Sequence, residues 1–570
     1  MTGSPRASVV LAGTLGFILG GCGTNSEAGL TADAIFFGDN IVTMDPSQPT
    51  VEAVAVRGET ITAAGRLEDV MALRGEATRV VDLGERALLP GFIDAHGHFL
   101  GAGRALEELS LHSPPVGDVT NIHELVWKIQ QWIEDKNIPA GEAVFGSGYD
   151  DSLLEEGRHP TRFDLDRASP DHPIVLGHVS GHLRAANSAA LAASNITAAT
   201  PDPDGGHIRR VAGSMEPNGV LEERAGGLID VGGSGAPTPE AFDELIRKSI
   251  GVYTAYGTTT IQNGSGTSPE VTERIRAAAE REPFEADVAS FAAASAMLDG
   301  HLEYERTYRN GFRVAGVKFV LDGSPQGRTA WVTEPYVEGP PGAAPDYRAY
   351  GTMDPEVYKT EAAALIGRGI PFLAHANGDA AMDLMLDGVD EALADLEEAP
   401  DHRSVIIHAQ LMRADQLDRA AVLNVLPSFF SAHAFFWGDW HVRSFGEDRG
   451  SNISPVRWAI ERGVPFTVHN DASIVPPDIM RLVSITVNRT TRSGRVLGPH
   501  QRATIQEALH AVTLGAAYQY FEEDTKGSIR VGKQADLVIL EQNPLTTDPA
   551  ELEHIQIMET ISRGRSVHTS

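Results

Sequence analysis

Residues Leu88 to Phe99 read LLPGFIDAHGHF, an apolar run that ends in Asp94-Ala95-His96-Gly97-His98. An apolar run punctuated by Pro90 and Gly91 predicts a buried strand. In an extended chain, residues two apart point to the same side, so His96 and His98 would offer both imidazoles to one point. Two neutral imidazoles at a strand end are a natural start for a zinc-type site. The same pair also fits ordinary surface or core histidines, so the rest of the chain has to decide.

Outward from this stretch, strands alternate with helices. Expected strands are Ile174–Val179, Thr258–Gln262, Gly316–Leu321, Phe372–Ala376, Ser404–Ala409, Val425–Phe430 and Phe466–His469. Helical patterns run between them, as at Pro239–Tyr256, Pro355–Ile366, Ala380–Leu396 and Ile505–Tyr518. With the opening strand this predicts an α/β fold built on a (β/α)8 barrel, whose functional residues gather at the carboxyl ends of the strands. Those ends carry a set of ligand-type side chains. Lys318 lies inside the apolar GVKFVLDG, where a lysine is costly to bury. LAHANGDA holds His375, VIIHAQ holds His408, and TVHNDA holds His469 and Asp471. Each has an ordinary alternative: a satisfied core histidine, a lysine reaching out to water, an aspartate capping the next segment. All of them falling in phase at one end of successive strands points to a shared centre.

The flanks read differently. From Ala32 to about Val81 short β-rich runs are separated by turn signals, and the segment from Lys526 to the end has the same character. Neither has enough apolar surface to stand alone, which predicts one small β-sandwich made from both ends. The stretch PDPDGGHIRRVAGSMEPNG, Pro201 to Gly219, reads as a hairpin insertion over the barrel mouth. The expected division is therefore 31–88 and 523–570 for the β-sandwich and 89–522 for the barrel, with an insertion near 101–233.

A chain of 570 residues is too long for one compact core, and 42% hydrophobic residues argue for a globular protein. A formal charge of −32 repels phosphate backbones and argues against nucleic acid as a partner. Cys22 is the one cysteine, so no internal disulfide can form. Arg6, an apolar run from Val9 to Leu19, and the small Gly20-Gly21 before Cys22 predict a lipoprotein signal peptide over 1–21. The Leu19-Gly20-Gly21-Cys22 end resembles a bacterial lipobox. It implies lipidation of Cys22, a tether over 22–30, and attachment to a membrane of the cell envelope.

LPGFIDAHGHF, the strand lysine, HANGDAA, IIHAQ and HNDA, in this order, resemble the amidohydrolase superfamily. VKFVLDGSPQGRTA, HANGDAAMD, PSFFSAHAFFWGDWH and KGSIRVGKQADLVILEQNP are similar to its family 3, the YtcJ-like group that includes the N-substituted formamide deformylases. The likeness runs from about Ala32 to the C-terminus, and that family's architecture of barrel plus β-sandwich agrees with the reading above. It implies that His96, His98 and Asp471 hold one metal ion and that His375 and His408 hold a second. Lys318 would be carbamylated by CO2 and bridge them. Zinc, one or two ions, suits imidazole and oxygen ligands with an open position, and other divalent metals are not excluded. The implied reaction is hydrolysis of a linear C–N bond in a small amide by a metal-activated water. Asp471 acts as general base and then acid, and His408 or His182 assists at the oxyanion. Tyr149, Asp150 and His182 match places where the family contacts substrate, Glu222 is a similar candidate, and Ser324 and Arg328, after the lysine strand, are candidates to hold a polar substrate end. Trp437, with its aromatic neighbours, would suit an apolar N-substituent.

Two rival readings remain open. A deaminase-type aminohydrolase on the same fold usually has a glutamate three residues after the strand-five histidine. Here that position is Gly378. A silent surface lipoprotein that only binds a ligand is the other, and the complete set of ligand-type residues argues against it. The assembly is open to a homodimer.

Overall fold

Eight parallel strands form one sheet, and in a computed structural model that describes residues 31–232 and 237–570 they pair in chain order. They are β1 Phe92–Ile93, β2 Thr258–Thr267, β3 Asp287–Ala293, β4 Phe312–Val320, β5 Phe372–Ala376, β6 Val405–His408, β7 Leu426–Phe429 and β8 Thr467–Val468. Each pairs in parallel with the next. Just beyond the strands the two ends of this sheet also meet. Gly97 and Ala472 form a parallel bridge, and Asp471 N–H donates to His96 O at 3.2 Å. The expected signal peptide, the tether and Cys22 lie outside the described residues. Among the described residues no helix is long and apolar enough to cross a membrane.

Parallel strands covered on both faces need apolar side chains at every position, which the sequence supplies. Phe372–Ala376 is buried throughout, and Phe312–Val320 is buried at every position but the last. Alternate residues divide between two clusters. Ile93, Ala289, Phe291, Ala315, Leu373, Val405, Ile407 and Leu426 pack together on one side of the sheet. Val288, Val314, Phe372, Ala374 and Ile406 pack against helices on the other. His375 follows Leu373 by two residues and continues the first side toward the strand ends.

Two expectations need correction. Ile174–His178 is a strand, but it does not belong to the eight-stranded sheet. It sits in a separate six-stranded sheet with Leu109–Ser110, Val144–Tyr149, Leu183–Ala186, Gly206–Arg210 and Pro217–Glu223. Its place in the eight is taken by β3, whose sequence DVASFAA is too poor in large apolar residues to stand out as a strand. The helix expected over Ile505–Tyr518 is broken into Ile505–Ala511 and Leu514–Gln519. The hairpin within Pro201–Gly219 forms as expected, with Gly206–Arg210 antiparallel to Pro217–Glu223.

The two ends of the chain share one eight-stranded sheet. Ala34–Val42 pairs with Thr50–Arg57, and Leu537–Leu540 pairs antiparallel with Ala87–Pro90, which leads directly into β1. The opening strand of the site is thus anchored at its start by the C-terminal segment.

Candidate metal centre at the strand ends

The six residues singled out in the sequence come together at the carboxyl ends of the strands. His96 and His98 follow β1, Lys318 lies near the end of β4, His375 is in β5, His408 ends β6, and Asp471 follows β8. Asp471 Oδ1 lies 3.1 Å from His98 Nε2 and 3.5 Å from His96 Nε2. His408 Nδ1 is 3.9 Å from Asp471 Oδ2. Lys318 Nζ is 3.0 Å from His96 Nε2, and His375 Nδ1 is 2.9 Å from His408 Nε2. His408 and Asp471 have φ of 78° and 55°, in the left-handed region that non-glycine residues seldom occupy. That turn at the end of β6 lifts His408 out of the strict alternation set by Val405 and Ile407.

Neighbouring groups fix how each imidazole is presented. His96 Nδ1 meets the Gln262 side-chain oxygen, which selects Nδ1–H and leaves Nε2 as a lone pair. His375 Nε2 donates to Gly323 O at 3.0 Å, leaving Nδ1. His98 Nδ1 is 3.0 Å from Ser265 Oγ. Gly264 is required beside this pair, since a Cβ there would stand 2.4 Å from the His96 ring. Burial, reinforced by neighbouring cationic groups, keeps His96, His375 and His408 well below the ordinary histidine range, so they are neutral ligands at pH 7. Burial also pushes the Lys318 amine down to about 7, against the pull of Asp471. Burial would raise the Asp471 carboxyl, but His98, His469 and Lys318 outweigh it and keep it ionised.

This donor set fits a metal. Asp471 Oδ1 is buried and has no hydrogen-bond partner, although two imidazole nitrogens stand within 3.5 Å of it. Close approach without hydrogen-bond geometry is the pattern of groups aimed at one intervening ion. His96, His408 and Asp471 offer ligand atoms all within 4.8 Å of one another.

A family model described as the amidohydrolase family matches residues 79–568. The chain belongs to the amidohydrolase family. Amidohydrolase relatives similar to it include the N-substituted formamide deformylase of Arthrobacter pascens, 28% identical over 93% of this chain and 97% of that protein. YtcJ of Bacillus subtilis (strain 168) is 26% identical over 94% of this chain and 99% of its own length. Among solved structures, an uncharacterized metal-dependent hydrolase from Pyrococcus horikoshii OT3 superposes with a TM-score of 0.70 at 23% identity, over 91% of this chain and 99% of that one.

Within this amidohydrolase, the side chains expected to touch substrate are placed unevenly. The His182 ring is 4.6 Å from that of His375, and its Nδ1 is 2.6 Å from Glu223 Oε2. Burial lowers the His182 pKa, but the Glu223 carboxylate reverses this and the net shift is upward. Asp150 accepts a hydrogen bond from Trp437 Nε1 at 2.7 Å, tying the inserted sheet to the loop after β7. Trp437 packs on Phe430, whose ring is 5.8 Å from His408. The other four are engaged within the protein. Tyr149 is buried with Oη 3.2 Å from His159, and the Glu222 oxygens are held by Arg209 and Tyr350. Ser324 Oγ accepts from Gly327 N–H at 3.2 Å, and the Arg328 guanidinium is held by Ser444, Gly339 O and Glu338.

His469, noted among the ligand-type side chains but given no role, and three residues that were not expected there border the site. His469 lies 5.2 Å from His408 and 5.3 Å from His96, ring to ring, and burial pushes it down to about 3. It stood in the HNDA motif, two residues before Asp471, where it was readable. Gln262 orients His96, and Asp322, fully buried, accepts from the backbone N–H of Trp331, Asn377 and Gly378 near His375. Glu223 adjoins the chosen Glu222 and points the other way along the strand, a choice that sequence spacing leaves undecided.

Proposed function

We propose that this amidohydrolase is a metal-dependent hydrolase of a linear C–N bond in a small molecule, an N-acyl or N-formyl amide. The observation that carries the reading is the buried, unpartnered Asp471 Oδ1 among neutral imidazoles from β1 and β6. The meeting of the two sheet ends at Gly97 and Ala472 supports a closed (β/α)8 barrel beneath this centre, with the terminal segments as its β-sandwich.

His96, His98 and Asp471 would hold one ion and His375 and His408 a second, with a carbamylated Lys318 between them; zinc suits these donors. A divalent ion there would supply Lewis acidity that lowers the pKa of water toward about 7. Asp471 takes the proton of the attacking water as its oxygen bonds to the carbonyl carbon, then delivers it to the nitrogen as the C–N bond breaks. The products are a carboxylic acid and an amine. His182, held by Glu223, faces His375 and stands where it can contact the amide oxygen. Trp437 and Phe430 favour an apolar N-substituent near the strand ends. The formamide deformylase similarity supports the amide class, and Gly378 counts against the deaminase alternative.

The test is turnover of a panel of N-formyl and N-acyl amines by the metal-loaded protein, with Asp471→Asn as control. Acid and amine released in equal amounts by the parent alone supports the reading; equal turnover by the variant overturns it. The Leu19-Gly20-Gly21-Cys22 end supports attachment to the cell envelope through a lipid on Cys22. Loss of lipid labelling in Cys22→Ser is the expected result.

A further inference from the structure

A second His–Asp–His cluster, sharing no residue with the strand-end centre, lies in the six-stranded sheet. Strands Val144–Tyr149 and Ile174–His178 run parallel there, with Tyr149 opposite His178. Asp151 follows the first strand, His178 ends the second, and His159 returns from the loop between them. His178 Nε2 is 3.0 Å from Asp151 Oδ1, and His159 Nε2 is 3.4 Å from Asp151 Oδ2. All three are buried, and their ligand atoms lie within 4.8 Å of one another.

We infer that Asp151, His159 and His178 bind a divalent transition-metal ion of the zinc type, in addition to the metal of the barrel mouth. Ligands about 2.1 Å from one ion stand roughly 3.0–3.5 Å apart, and the separations above match. The His159 Nε2 contact lacks hydrogen-bond geometry, so that nitrogen is aimed beside the carboxylate and not at it. The far nitrogens have the partners that a ligating imidazole needs: His178 Nδ1 is 2.8 Å from Ser180 Oγ, and His159 Nδ1 is 3.2 Å from Tyr149 Oη. Three carboxyl groups, Asp150, Asp151 and Glu222, cluster here against the Arg209 guanidinium, which is already committed to Glu222. A dication relieves that imbalance. Burial holds His159 neutral, down to about 3, and the facing imidazoles and Arg209 override burial to keep Asp151 ionised.

Asp151 and His159 also border a cleft of about 1140 Å³ with Arg209, Glu222, Tyr347 and Tyr350, which gives an ion a way in and leaves one coordination position open. The ion would fix the loop that carries Asp150, and through Asp150 the Trp437 indole at the barrel mouth. The alternative is a purely hydrogen-bonded chain. Ser180 N–H lies 3.2 Å from His178 Nδ1 and favours the tautomer in which Nε2 donates to Asp151.

Zinc content of the full-length protein, loaded with zinc and freed of excess, separates the two. His159→Gln and His178→Gln should each hold about one equivalent less than the parent, with unchanged far-ultraviolet circular dichroism. His96→Ala should keep that equivalent while losing metal from the strand ends. Equal zinc in the parent and both glutamine variants overturns the inference, whether or not the protein hydrolyses amides. If the variants fail to fold, anomalous scattering at the zinc edge from crystals of the parent decides. A peak between Asp151, His159 and His178 is expected, and density without one overturns the site.

Discussion

Among the described residues two buried groups of histidine and aspartate stand out, and they are built on opposite plans. At the strand ends the side chains come from strands distant in sequence: His96 and Asp471 are 375 positions apart in number yet 3.5 Å apart in space. In the inserted sheet Asp151, His159 and His178 lie within one short span of chain. The Asp471 carboxylate has an oxygen with no hydrogen-bond partner, whereas both Asp151 oxygens face an imidazole. The first group therefore keeps a carboxylate oxygen free to bind an ion. The second can also satisfy itself. A centre assembled from many strands can leave a position open for chemistry, while a local cluster at two strand ends is better suited to holding a loop.

Removing Asp471 should give the largest effect in this comparison. Asp471→Asn is expected to lower kcat on a cleaved amide by roughly 10²–10⁴, the range for a lost proton-transfer group. The variant should keep its fold, as read by circular dichroism. Gln262→Ala should act next. It leaves His96 Nδ1 without its acceptor, and metal affinity at the strand ends should fall by roughly 10–100-fold in a competition titration with a chelator. Unchanged affinity would show that His96 is oriented by its backbone alone. Trp437→Phe, on the bridge between the two groups, removes the 2.7 Å bond to Asp150. A lost bond of this kind costs about 1–3 kcal/mol, read as a lower midpoint in denaturant, and KM should rise more than kcat falls. The smallest effect belongs to Arg328→Lys. Its guanidinium serves the Ser444–Gly339–Glu338 loop and is not free for substrate, so KM should stay close to that of the parent; a large rise in KM would return Arg328 to the substrate pocket.

The same contrast explains what the sequence disclosed. His96, His98, His375, His408 and Asp471 were legible because each lies at or just past the end of an apolar run, and Lys318 because it interrupts one; parallel strands bring such positions to one rim. Hydrophobic period could not show β3, since DVASFAA is buried through small side chains. It also could not separate Ile174–His178 from the eight-stranded parallel sheet, because a strand buried in the inserted sheet reads like a strand buried in the other. Glu223 was hidden beside Glu222 because a bulge near Ile208–Arg210 and a φ of 49° at Glu223 decide which of the two faces His182. The cluster at Asp151 was hidden for a related reason: His159 joins it by the path of a loop, and loops carry no period.

The central claim is that the strand-end histidines and Asp471 enclose a divalent ion. Its most direct test is the metal content of the purified protein beside a His96→Ala, Asp471→Ala double variant, measured by mass spectrometry after dialysis against a weak chelator. At least one equivalent of zinc or a similar divalent metal in the parent, and its loss in the double variant, is the predicted result. Equal metal in both proteins would contradict the account.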